Sequence, residues 1–302
     1  MKFMNFSRRN VPNLVRLGCL LGDNGFDVTK AIGEDLLEFP RVVFTLEEVL
    51  HVKDGLDILQ SQLRTIERAS SGIQSYLFNV SEAIVHAPVL KPLKLIGIGL
   101  NYKDHAEEVN LPLPKQPLIF GMYSNAIIGP GQPIVIPPMT TQVDYEAELG
   151  VIIGRKARMV PTSAALEYVA GYTMINDVSA RDLQFSDGQW LRAKSFDTFA
   201  PMGPCMVTRE DLGDADGLGI KMRLNGQTMQ NSNTRNMVFK VPDLVSYVSH
   251  IMTLEVGDVI ATGTPAGVGF VRKPQVFMKP GDIAEIEIAG IGILRNPVTA
   301  AD

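Results

Sequence analysis

Apolar and polar positions alternate along much of this chain with a period near two, the spacing of strands that turn one face to a core. Near the start, "LVRLGCLL" and "FDVTKAI", within residues 14–32, read as two strands joined at Gly22-Asp23-Asn24-Gly25, a hairpin turn signal. The period then lengthens. Leu56, Leu59, Leu63 and Ile66 fall at helical spacing, downstream of Thr45-Leu46-Glu47-Glu48, whose Thr-x-x-Glu pattern is a capping box. "SYLFNV" reads as a return strand. These elements predict a small N-terminal α+β domain over residues 1–90, with Pro88 and Pro92 marking the boundary.

Beyond it the pattern changes. Short β-type runs alternate with glycine and proline turns: "KLIGIGLNY", "PIVIPP", "ELGVIIG", "GYTMINDVS", "GIKMRLNG", "DVIATG" and "DIAEIEI". The turns "GPGQPIVI", "EVGDVIATG" and "KPGDIAEIEI" echo one another, but no fixed period supports a repeat architecture. Helices are few, the clearest being 242–252, opened by Pro242. Residues 91–302 therefore read as one larger, β-rich domain. Strands and helices do not alternate regularly, so a doubly wound fold is not expected.

Composition narrows the function classes. A chain of 302 residues with 45% hydrophobic and 20% charged positions can bury a sizeable core. Its net charge of −5 lacks the basic footprint of a nucleic-acid binder. No apolar run approaches the ~20 residues of a membrane helix. Two cysteines, Cys19 and Cys205, are too few for a disulfide framework and suit a reducing compartment. A cytoplasmic location is expected. Lys2, Arg8, Arg9 and Arg16 precede the first acid, Asp23, which keeps a mitochondrial presequence as the alternative, although residues 11–21 already read as a strand.

The stretch "DYEAELGVII", residues 144–153, raises the chemical question. In a strand, Asp144, Glu146 and Glu148 share one face, and like charges entering an apolar segment need a positive partner. A hard divalent cation would serve, with Glu146 and Glu148 as two arms and Asp177, at the end of "GYTMIN", as a third. Taken alone, the triplet reads as well as the solvated face of an edge strand. Upstream, "GIGLNYKDHAEE" places His105 and Glu108 one helical turn apart, the arrangement of a general base oriented by a carboxylate, or of a surface histidine with an acidic neighbour. Downstream, residues 179–204 read as a polar loop region offering Arg181, Gln184 and Lys194, groups suited to holding a carboxylate and polarising a carbonyl. "ATGTPAGVG", residues 261–269, lacks the Lys-Ser/Thr ending of a nucleotide loop but could present backbone N–H groups, Thr262 and Thr264 to an anion.

The order of these motifs, "IGIGLNYKDHAEE", "VDYEAELGVIIG", "GYTMINDVSARDLQ", "LRAKSFDTFAPMGP" and "ATGTPAGVG", resembles the fumarylacetoacetate hydrolase family over residues 94–298. The resemblance implies an α+β, β-rich fold: a fumarylacetoacetase C-terminal-like mixed β-roll behind the small N-terminal domain, in a homodimer. It implies Mg²⁺, with Mn²⁺ or Ca²⁺ as alternatives, on Glu146, Glu148 and Asp177. His105 and Glu108 match the family's base dyad, which orders with a lid. Lys194 and Gln184 match contacts to the ketoacid end of the substrate, with Arg181 nearby, and Thr264 matches the threonine that holds a carboxylate. Asp144 has no ligand role in this pattern. Asn101 stands near where the larger hydrolases carry an additional aspartate, which argues against cleavage of fumarylacetoacetate itself.

The implied substrate is a small 2-oxo acid, which can meet the metal through its carboxylate and keto oxygens. Hydrolytic C–C cleavage of an acylpyruvate or β-diketo acid is the first expectation. Oxaloacetate keto–enol tautomerisation or decarboxylation, and isomerisation of a dienoic diacid, are the alternatives. A metal-braced binding protein without turnover is the non-enzymatic one.

Overall fold

In the computed structural model, which describes residues 1–69 and 72–301, the alternating pattern resolves into three sheets. The largest runs Leu77–Phe78, Asn24–Asp27, Val11–Leu21, Lys2–Arg8, Ala200–Thr208, Val169–Asn176, Ala147–Ile153, Val259–Ala261, Leu95–Gly99, Leu118–Met122. Along this order its pairs are antiparallel except that Val259–Ala261 lies parallel to Leu95–Gly99, and off this order Ile127–Ile128 lies parallel to Ala200–Thr208. A second sheet orders Gln227–Asn233, Gly219–Leu224, Ile283–Ile288, Gly292–Ala300 and Ile134–Ile136. A third is the two-residue pairing of Val143–Asp144 with Ser179–Ala180. The fold is mixed α+β and strand-rich, as expected. Each of the seven β-type runs from residue 94 onward contains a strand.

The N-terminal strands are not a separate sheet. Lys2 pairs with Val207 and Phe3 with Met206, so the large sheet runs without a break from the N-terminal unit into the rest of the chain. The hairpin turn falls at Gly22-Asp23, with Leu21 paired to Asn24. The second strand is shorter than its pattern predicts. It stops at Asp27, whose carboxylate accepts the Lys30 N–H at 2.9 Å and starts a helix, Val28–Gly33. A capping side chain here overrides the β-type composition of "VTKAI". "SYLFNV" contributes only Leu77–Phe78 to the sheet. Thr45 caps Leu46–Leu50 through the Glu48 N–H at 3.3 Å, while Glu48 reaches back to the N–H of Phe44. Leu59 and Leu63 bury the inner face of the Gly55–Ala69 helix. The later helix spans Val241–Ile251 with Pro242 in its first turn, where a missing N–H costs nothing.

Ala147–Ile153 and Val169–Asn176 are buried along their whole lengths and form the middle of the sheet. That placement sets the energetic problem of the site, because Glu148 lies inside the first of these strands and Asp177 directly follows the second. No helix among the described residues is long and apolar enough to cross a membrane.

Candidate active site

The stretch 144–153 is not one continuous strand. Asp144 belongs to the two-residue sheet, and the large-sheet strand begins at Ala147. At the break, side-chain amides replace ladder partners. The Glu146 N–H donates to Asn176 Oδ1 at 3.0 Å, and the Ala147 N–H to Gln230 Oε1 at 2.9 Å. Every backbone donor at the kink therefore stays satisfied, and the kink parts Asp144 from the two glutamates.

Glu146, Glu148 and Asp177 converge, each offering an oxygen, with those atoms within 4.8 Å of one another, all three side chains being buried. Two cations face them. Lys194 Nζ donates to Asp177 Oδ2 at 2.6 Å, to Glu146 Oε2 at 2.9 Å and to Ser179 Oγ at 2.9 Å. Arg181 bridges Asp144 Oδ2 at 2.9 Å and Glu146 Oε1 at 2.7 Å, and donates to Gln184 Oε1 at 2.8 Å. Its guanidinium also lies 4.5 Å from the Phe270 ring centroid. Lys194 and Arg181 are both buried, and their ordinary preference to stay in water is outweighed by these carboxylates, so both remain charged.

The region read as a polar loop is in fact two short helices, Arg181–Asp187 and Trp190–Lys194, parted by Gly188 in the left-handed conformation. The helical turn explains why Arg181 and Gln184, three residues apart, meet. The glycine-rich 261–269 segment does offer N–H groups to anions, and those anions belong to the protein. Gly263 donates to Glu148 at 2.9 Å, Gly267 to both oxygens of Glu108 at 2.9 Å, and Gly269 to Asp144 at 2.7 Å. Thr264 is committed to the scaffold: its hydroxyl donates to Ala147 O at 2.9 Å and accepts from Gln230 at 2.8 Å.

His105 and Glu108 lie on the short helix Lys103–Glu108, with His105 Nδ1 3.4 Å from Glu108 Oε2. The first turn is pinned by Asp104, which accepts from the Ser232 hydroxyl and, at 3.4 Å, from Asn236. Asn101, where an extra carboxylate would matter, is buried and spent on backbone: it donates to Phe239 O and Thr262 O and accepts from the Phe239 N–H.

Asp144, Glu146, Glu148 and Asp177 against Arg181 and Lys194 leave two formal negative charges in a buried site. The imbalance shows in the titration of the group. Burial would raise Glu146, but Lys194 and Arg181 outweigh it and hold the carboxyl at about 2. Burial, then the neighbouring Asp177 and Glu146, push Glu148 well above the carboxylate range. Burial lifts Asp177 to about 7 despite its contact with Lys194. The Asp177 Oδ1 atom is buried and has no hydrogen-bond partner. An orphaned carboxylate oxygen, an all-oxygen donor set and a residual charge of two together fit a hard divalent cation.

A mixed sheet carrying such a carboxylate centre defines a scaffold for divalent-metal chemistry. The chain belongs to the fumarylacetoacetate hydrolase family: residues 94–299 match the family model described as fumarylacetoacetate (FAA) hydrolase C-terminal. It is 45% identical over 249 residues to the mitochondrial oxaloacetate tautomerase fahd2 of Xenopus laevis, covering 82% of this chain and 78% of that protein. Among solved structures, 5-carboxymethyl-2-hydroxymuconate delta-isomerase from Mycobacterium smegmatis is 34% identical with a TM-score of 0.75, covering 100% of both chains. Maleylpyruvate hydrolase from Sphingobium sp. SYK-6, solved with manganese(II) ion and pyruvate, is 29% identical with a TM-score of 0.78 and the same full coverage.

Proposed function

We propose that this enzyme binds a divalent cation, Mg²⁺ first among the candidates, through Glu146, Glu148 and Asp177 and interconverts the keto and enol forms of a 2-oxo acid, oxaloacetate being the substrate. The observation that carries the reading is the partnerless Asp177 Oδ1 in a cluster of four buried carboxylates that two cations only half neutralise. When bound, the cation would supply Lewis-acid stabilisation of negative charge on the keto oxygen. The protein's own groups do the rest. His105, oriented through Nδ1 by Glu108, takes the proton from the carbon beside the keto group and delivers it to the keto oxygen, and carries it from the enol oxygen back to that carbon in the other direction. Lys194, whose three donors are spent on Glu146, Asp177 and Ser179, adds positive charge beside the developing oxyanion while fixing the triad. Arg181 and Gln184 frame the other side.

Two considerations place tautomerisation ahead of C–C hydrolysis, which the motifs alone put first. Moving one proton needs only the dyad, whereas hydrolysis also needs a placed water. The relative named as an oxaloacetate tautomerase is also more similar in sequence than the one named as a hydrolase. Hydrolysis of an acylpyruvate is the second reading, supported by that hydrolase's shared fold.

Oxaloacetate and acetylpyruvate assayed side by side with Mg²⁺ separate the readings. Tautomerisation predicts faster decay of oxaloacetate enol absorbance with no pyruvate released, and a loss of about 10²–10⁴-fold in His105→Ala. Acetate and pyruvate from acetylpyruvate would instead establish the hydrolase, and pyruvate from oxaloacetate alone a decarboxylase.

A further inference from the structure

Between Asp144 and Glu146 stands Tyr145, a buried side chain that the site described so far does not use. Its hydroxyl donates to the carbonyl of Gly267 at 3.2 Å. The same carbonyl accepts Arg272 Nε at 3.1 Å, and Arg272 also donates to the carbonyl of Met229. Gly267 is the residue whose N–H donates to both oxygens of Glu108. It sits at φ +107°, and a Cβ there would lie 2.2 Å from Met229 O, so only glycine fits.

We propose that Tyr145 and Arg272 are positioning residues that aim Glu108, acting through Gly267. This rests on the assignment of His105 and Glu108 as the base dyad. Gly267 has a backbone freedom that other residues lack, so something must choose its conformation. Two donors on its carbonyl from different segments hold the peptide that follows it, and so restrict the φ/ψ pair that relates that peptide to the one carrying its N–H. That N–H holds the Glu108 carboxylate where one oxygen can meet His105 Nδ1. Because Tyr145 is flanked by Asp144 and Glu146, the stretch that supplies a metal ligand also sets the geometry of the base. A shift of the 144–148 segment therefore reaches both halves of the site. A misaligned general base loses rate while the substrate still binds.

Tyr145→Phe removes one oxygen and keeps the buried ring, and it is the variant to test in the metal-loaded enzyme. Its kcat should fall about tenfold, the equivalent of one net hydrogen bond, with KM and Mg²⁺-dependent thermal stabilisation unchanged. In a Glu108→Gln background the same substitution should have little further effect, because both changes break one chain of contacts. A full additional loss in that background, or an unchanged kcat in the single variant, would overturn the proposal. Hydrogen exchange at the Gly267 amide gives an independent readout if the wild-type protein turns over no 2-oxo acid. Protection should drop in Tyr145→Phe and in Glu108→Gln alike, and protection retained in Tyr145→Phe would equally sink the idea.

Discussion

The buried carboxylates differ in what satisfies them. Glu146 takes Lys194 and Arg181, Asp144 takes Arg181 and three backbone N–H groups, and Glu148 takes the Gly263 N–H, while one oxygen of Asp177 takes nothing. Asp177→Asn is nearly isosteric and halves the residual charge, so it should remove the Mg²⁺-dependent rise in melting temperature expected of the wild type. At a hundredfold excess over Kd that rise corresponds to about 2.7 kcal/mol, and an undiminished rise would refute the ligand assignment. pH gives a second handle. Asp177 titrates at about 7 in the folded chain against an ordinary 3.8, so the metal-free folded state holds a proton that the unfolded chain releases. Stability from this group is present below 3.8 and is lost as pH rises through about 7, and Glu148 works in the same direction. Glu146, held at about 2 against 4.5, works oppositely, its contribution being lost as pH falls below 4.5. Chelator-treated protein should therefore melt lower at pH 8 than at pH 5.5, and Mg²⁺ should restore more at pH 8, as scanning calorimetry would show.

Among the elements, the kink at 145–147 decides which carboxylate goes where, and Gln230 holds it. One amide accepts from the Ala147 N–H and donates to Thr264 Oγ1 and Pro265 O, tying the triad strand to the glycine-rich segment. Gln230→Ala leaves buried groups unpaired on both sides and should cost about 3 kcal/mol, at 1–3 kcal/mol per unsatisfied group, measured by urea denaturation. This kink also marks the limit of what the sequence shows. Alternating Asp144, Glu146 and Glu148 signal a strand with a charge problem, and the problem is real. Its solution by Arg181 and Lys194 lies 35 and 48 residues downstream of Glu146, in contacts that local pattern does not encode. The convergence of Asp177 rests on antiparallel register, Ala147 opposite Asn176, and was reached from the sequence through motif order as much as periodicity. Tyr145 went unread because a tyrosine between two acids looks like core filling. The helices at 181–194 were missed because their polar composition resembles a loop and Gly188 interrupts the period.

Across the whole molecule, the N-terminal strands complete a sheet whose other half carries the site. A chain starting at residue 94 would leave the Met206–Val207 edge, now covered by Lys2 and Phe3, without its partner. Such a chain should yield little soluble protein, because an unpaired apolar edge pairs with other copies. Soluble, monodisperse material by size-exclusion chromatography would show that the larger unit stands alone.

The same pairing has a consequence in time. The Lys2–Arg8 strand finds Val11–Leu21 almost at once, and Ala83–His86 covers the far side of Asn5–Arg8 soon after. Lys2 and Phe3 wait for Met206 and Val207, some 200 residues later, which at ribosomal speed is roughly 10 to 40 s. Throughout that interval the nascent chain carries an open backbone edge beside a phenylalanine that ends up completely buried. The Lys2–Arg8 strand is thus made some 200 residues before the partner that seals its first two positions.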